Sequence, residues 1–102
     1  MRITPARDPA YLAYVRERPC WFCSSTRDVQ AHHHGRKDGG GGMGLKTCDY
    51  HTIPLCAPHH AEWHRTGSIG ARNRETTLIE MWRGVATTLR SWVVTEILPG
   101  RE

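Results

Sequence analysis

The grouping of cysteines and histidines constrains this chain more than any other feature. Between residues 20 and 64 lie Cys20-x2-Cys23, then His32-His33-His34, then His51, then Cys56-x2-His59-His60-x3-His64. All seven histidines and three of the four cysteines fall in these groups, a bunching that scattered surface histidines do not show. The opening residues, Met1-Arg2-Ile3-Thr4-Pro5, carry no apolar leader, so the thiols are expected to serve a metal rather than disulfides. A chain of 102 residues, 38% of them hydrophobic, is expected to form one domain over 1–102. A domain that short buries a limited core and gains much from a staple.

Helix geometry divides the ligands into two sets. If a helix runs from Pro58 to about Arg65, His60 and His64 lie one turn apart on one face. His59 is rotated away from them by about 100° and faces elsewhere. Cys20, Cys23, Cys56 and His59 then compose a closed Cys3His set, the composition of a structural zinc site. Such a site contributes folding free energy, ~10–16 kcal/mol in small zinc peptides. Cys48 in place of His59 stays open as an alternative. A zinc finger built from Cys20, Cys23, His60 and His64 is excluded, because the gap after Cys23 far exceeds the usual spacing. The remaining set is His32, His33, His60 and His64. Two helical histidines and one from a strand leave a three-ligand site with open positions, as catalytic ions require. A further imidazole beside it can deprotonate a water. An all-histidine set favours Zn2+, Ni2+, Co2+ or Mn2+ over Mg2+, which prefers oxygen.

The rest of the chain supplies the frame, and the expected class is α+β. An N-terminal helix over 8–18 starts with Asp8 as N-cap and Pro9 in the first turn. Val29 to His34 reads as a short strand, with Val29, Ala31 and His33 on one face and His32 and His34 on the other. Gly39 to Gly44 make a loop, and Ile53-Pro54-Leu55 makes an edge strand at best. A long amphipathic helix over 73–98 carries a seam of Leu78, Trp82, Val85, Leu89 and Trp92, widened by Ile79, Met81, Val93 and Ile97. It is expected to pack on the N-terminal helix as core, with a homodimer through this helix as the alternative to a monomer. No apolar run is long enough for a membrane span, so a cytoplasmic location in a prokaryotic or phage-infected cell is expected. Fourteen Lys and Arg against ten Asp and Glu give a net charge of +4, which favours an anionic partner such as DNA.

Taken together, Cys-x2-Cys, the histidine pair of Ala31-His32-His33, the Gly-rich loop with Gly-Met-Gly-Leu-Lys, and Asp49-Tyr50-His51-Thr52-Ile53-Pro54-Leu55-Cys56-Ala57-Pro58-His59-His60-x3-His64 resemble the HNH, or ββα-metal, endonuclease family. The wording is most similar to small phage-associated members that resemble the recombination-promoting nuclease Ref. The resemblance implies a ββα-metal core over 20–66 and metal-dependent hydrolysis of DNA phosphodiester bonds. It implies that His32, His60 and His64 bind the catalytic cation, commonly Mg2+ in this family, and that His33 is the general base. It implies that His51, at the position usually held by Asn, orients the base. Adjacent strand residues point to opposite faces, so His33 and His34 as ligand and base remain an alternative register. Arg36, Lys37, Lys46 and Arg65 are candidate phosphate contacts. Two rivals stand beside this reading: a non-catalytic zinc-stapled DNA-binding module, and a metal-storage or metal-sensing protein.

Overall fold

A computed structural model describes residues 6–35 and 48–98. Arg36, Lys37, Lys46 and the glycine run lie outside the described residues. Helix α1 spans Pro9–Arg16, shorter than expected from the sequence, and strand β1 spans Val29–His33. A 3₁₀ turn, Asp49–His51, leads into strand β2, Thr52–Cys56, which runs directly into helix α2, Ala57–Thr66. Helix α3 covers Arg74–Trp92 and continues as a π-helical segment, Val93–Ile97. The architecture is a small α+β fold, with one two-stranded antiparallel sheet covered by helices. Among the described residues no helix is long and apolar enough to cross a membrane.

Local chemistry accounts for the element ends. The Asp8 carboxylate accepts the Tyr11 N–H and caps α1, with Pro9 in the first turn, where a missing N–H costs nothing. Helix α2 ends at Gly67, whose φ of 77° is the left-handed conformation that glycine adopts without strain. Asn73 caps α3 by accepting the Thr76 N–H. In the sheet, Val29 pairs with Cys56 and His33 with Thr52, so Pro54 sits opposite Ala31. Both strands are edges, which is why the missing Pro54 N–H is tolerated.

All five residues of β2 are buried, because elements cover both of its faces. One core cluster gathers Ile53, Leu55, Cys20, Cys56, Ile69, Met81 and Val85. A second gathers Tyr11, Tyr14 and Val15 of α1 against Leu89 and Trp92 of α3. The expected packing of the long helix on the N-terminal helix is therefore present, and Val85, Leu89 and Trp92 of the seam, with Met81 beside it, pack inward as read, but small residues complete the buried stripe. Thr77, Met81, Gly84, Val85 and Thr88 face inward, while Trp82 is 41% exposed. The reason is close approach: a Cβ on Gly84 would stand 2.4 Å from Ile53 Cδ1 and 2.9 Å from its Cγ1. Small residues let α3 press onto the sheet, and hydropathy alone undervalues them. Gly84→Ala is therefore expected to destabilise the fold by about 1–3 kcal/mol through overpacking, although alanine favours a helix. Urea denaturation checks this, and a stabilised variant would contradict the close packing.

Candidate metal centres

The two ligand sets separate in space as the helix geometry implies. Cys20, Cys23, Cys56 and His59 form one group that could hold a metal ion, and His32, His60 and His64 form another. In each group the donor atoms lie within 4.8 Å of one another.

Three elements build the first group. Cys20 and Cys23 lie on a tight knuckle after α1, where the Ser24 N–H donates to the Cys20 carbonyl at 2.8 Å. The Trp21 N–H donates to the Pro54 carbonyl at 2.9 Å and fastens the knuckle to β2. Cys56 ends β2 and stands at the N-cap of α2, so His59 follows in the first turn. The four cysteines are free thiols. Cys23 and Cys56 Sγ are 3.7 Å apart, and His59 Nδ1 is 3.5 Å from Cys20 Sγ and 3.3 Å from Cys56 Sγ. A tetrahedron with metal–sulfur bonds of about 2.3 Å and metal–nitrogen bonds of about 2.0 Å has S···S edges of about 3.8 Å and S···N edges of about 3.5 Å. The donor set fits zinc on both chemistry and spacing. His59, not Cys48, completes it. Burial raises the Cys20 thiol, but N–H groups of Cys56, Phe22 and Cys23 and the His59 ring outweigh it and bring the group down to about 6. Burial and the neighbouring sulfurs push Cys56 up to about 11, so thiolates packed this closely call for a cation.

The second group joins β1 to α2. His32 is buried on the strand, and its Nδ1 lies 3.0 Å from His60 Nε2. His64 Nε2 lies 3.0 Å from the same His60 nitrogen. One proton cannot serve both contacts, whereas three lone pairs aimed at a common point suit a shared cation. Bonds of about 2.1 Å at right angles subtend about 3.0 Å, so the spacing also fits. Burial, then the fields of His60, His34, His64 and His33, push His32 down to about 3. It is therefore a neutral imidazole at ordinary pH, the form that binds a metal.

His33 and His34 take different courses. His33 is the last residue of β1, and its Nε2–H donates to Asp49 Oδ1 at 2.8 Å. His34 is 1% exposed, with its ring 5.9 Å from that of Trp63 and 4.7 Å from that of Trp82. It is a core residue outside both metal groups, so the structure places His32, not His34, with His60 and His64.

His51 does not occupy the position expected of it. Its ring is exposed and lies 5.9 Å from that of Trp82, and the side chain holding His33 is Asp49. Each residue of a 3₁₀ turn advances by about 120°, so two residues apart on Asp49–His51 means different sides. Asp49, only 4% exposed, faces inward. It accepts the Asp8 N–H at 2.7 Å and an Arg7 N–H at 3.2 Å besides His33. Burial works against its charge, but the hydrogen bonds from His33, Asp8 and Arg7 hold the carboxyl below the usual carboxylate range. Counting back from Cys56 singles out position 51, and only the turn reveals Asp49. Arg65 is exposed on the last turn of α2, beside His64.

Comparison with known proteins adds a family. The chain is 34% identical over 71 residues to the uncharacterized protein YdfU of Escherichia coli (strain K12), an alignment covering 70% of this chain and 20% of the relative. The chain thus spans about a fifth of that relative's length. No solved structure gives a significant match. The family described as "Protein of unknown function (DUF968)" matches residues 4–70, the stretch that holds α1, β1, β2, α2 and all the ligands of both groups, and the chain belongs to that family.

Proposed function

We propose that the protein is a metal-dependent endonuclease of the HNH, or ββα-metal, type that hydrolyses DNA phosphodiester bonds. The observation that carries this reading is His33. It stands at the end of β1, next in sequence to a residue of the three-imidazole group, with one ring nitrogen fixed on a buried carboxylate. Because the ionised Asp49 can only accept, His33 carries a proton on Nε2, and in the neutral ring the lone pair is then on Nδ1. A neutral imidazole held in one tautomer, next in sequence to a ligand of a cation site, is equipment for activating water.

His32, His60 and His64 would hold a divalent cation, which when bound supplies electrostatic stabilisation of the charge developing on the phosphate and the leaving oxygen. His33 takes a proton from water through Nδ1 as the water oxygen attacks phosphorus. The bond to the 3′ oxygen breaks, and that oxygen gains a proton from solvent. The products are a 5′-phosphate and a 3′-hydroxyl. Asp49 holds the His33 ring and stabilises the imidazolium that forms. The Cys3His group does no chemistry in this scheme; it ties the knuckle, β2 and α2 together and so sets the position of His60 and His64. The net charge of +4 suits DNA, and Arg65 beside His64 is a candidate phosphate contact.

Asp49→Asn tests the scheme at its support. Asp49 accepts hydrogen bonds at both oxygens, Oδ1 from His33 and Arg7 and Oδ2 from Asp8. Asparagine has one acceptor and one donor, so one of these contacts becomes donor against donor. Cleavage is expected to fall on the order of 10²-fold, because a neutral amide no longer stabilises the imidazolium that forms on His33. Thermal melting and metal content report whether the variant is folded, and a folded Asp49→Asn protein that cleaves like the parent would contradict the assigned role. Salt-sensitive DNA binding without any cleavage would favour the non-catalytic zinc-stapled module instead.

A further inference from the structure

Among the described residues, the uncharged side chain of Gln30 also addresses the three-imidazole group. Gln30 lies two residues before His32 on β1, so strand alternation puts both side chains on the sheet face that meets α2. Its Oε1 lies 2.5 Å from His60 Nδ1, the ring nitrogen not turned toward His32 and His64. His60 is the central member of the group, with its Nε2 3.0 Å from a nitrogen of each of the other two rings.

We propose that Gln30 is a positioning residue for metal binding, fixing His60 in the tautomer that carries its proton on Nδ1. The inference rests on the reading of His32, His60 and His64 as a cation site. The amide oxygen accepts the Nδ1–H, which leaves the lone pair on Nε2, where the other two donors converge. A histidine ligand whose second nitrogen donates to a carbonyl or carboxylate is oriented and more basic, and removing such a partner typically weakens metal binding 10–100-fold. Gln30 supplies that partner here. Its side chain is exposed, so the hydrogen bond and not core packing is what a substitution removes.

The test uses the full chain carrying one equivalent of Zn2+ for the Cys3His group, titrated with Ni2+ alone by calorimetry. The parent is expected to take one Ni2+. Gln30→Ala is expected to take the same one equivalent with Kd raised 10–100-fold. Gln30→Glu, whose carboxylate accepts the same Nδ1–H, is expected to return Kd to the parent value or below. The melting temperature of all three zinc-loaded proteins reports their folding. A folded Gln30→Ala protein with the parent's Kd overturns the proposal while leaving the cation site standing. Failure of the parent to bind Ni2+, or equal binding by His60→Ala, overturns the cation-site reading and the proposal with it.

Discussion

A Cys56→Ser variant is expected to lose its zinc and, with it, the folded state. Cys56 Sγ sits 3.7 Å from Cys23 Sγ and 3.3 Å from His59 Nδ1, at the junction where β2 becomes α2. It is also buried in the cluster with Cys20, Ile53, Leu55 and Met81. A structural zinc ion contributes ~10–16 kcal/mol in small zinc peptides, whereas whole domains are stable by only about 5–15 kcal/mol. A zinc ion held by these four ligands would therefore rival everything else that holds a chain of this size together. Strong chelation of the parent should have the same effect as the substitution, reversed by added Zn2+. Metal content and thermal melting, read by circular dichroism, check both. A zinc-free Cys56→Ser protein with the parent's melting temperature would show that the four ligands are not a staple.

His33→Ala is expected to reduce DNA cleavage on the order of 10²–10⁴-fold, the contribution typical of a positioned acid or base. The substitution should leave the rest of the molecule alone. The His33 side chain is 32% exposed, so its loss opens no sealed cavity. Asp49 would keep its contacts to Arg7 and to the Asp8 N–H, so the start of α1 stays tied to the 3₁₀ turn. None of the three nitrogens of the imidazole group belongs to His33. The expected variant thus melts like the parent, retains the ligands of both groups and cuts far more slowly. Undiminished cleavage from such a protein would remove His33 from the mechanism.

The two Cys/His groups that could hold an ion were legible in the sequence because ligand chemistry restricts both residue type and spacing. Cys-x2-Cys brings two sulfurs to one point, and the helical rotation of about 100° between His59 and His60 sends neighbours to different groups. That argument needs only the existence of α2, which Pro58 and Gly67 announce at its two ends. The orientation of α3 was less legible. Its inward stripe runs through Gly84 and two threonines, Thr77 and Thr88, while Trp82 of the expected seam lies at the edge, 41% exposed, with its ring over His34. Which face is buried was decided by how closely Gly84 can approach Ile53, a property of two elements together. Asp49 escaped the sequence reading for a similar reason. Its role depends on the 3₁₀ turn that points it at His33 and on the N-terminus of α1, about forty residues earlier in the chain, which supplies two of its hydrogen bonds. Likewise His34 belongs to the same run as His32 and His33, yet the two tryptophans that enclose it come from α2 and α3.

The most direct test of the central claim is conversion of supercoiled plasmid by the zinc-loaded protein, with Mg2+, Mn2+, Ni2+ or Co2+ added singly and with a chelated control. The account predicts nicked or linear DNA that requires an added divalent ion, with 5′-phosphate and 3′-hydroxyl ends, and loses its activity in the folded His33→Ala protein. Intact plasmid under every metal, from a protein that is folded and fills both ligand groups, would contradict it.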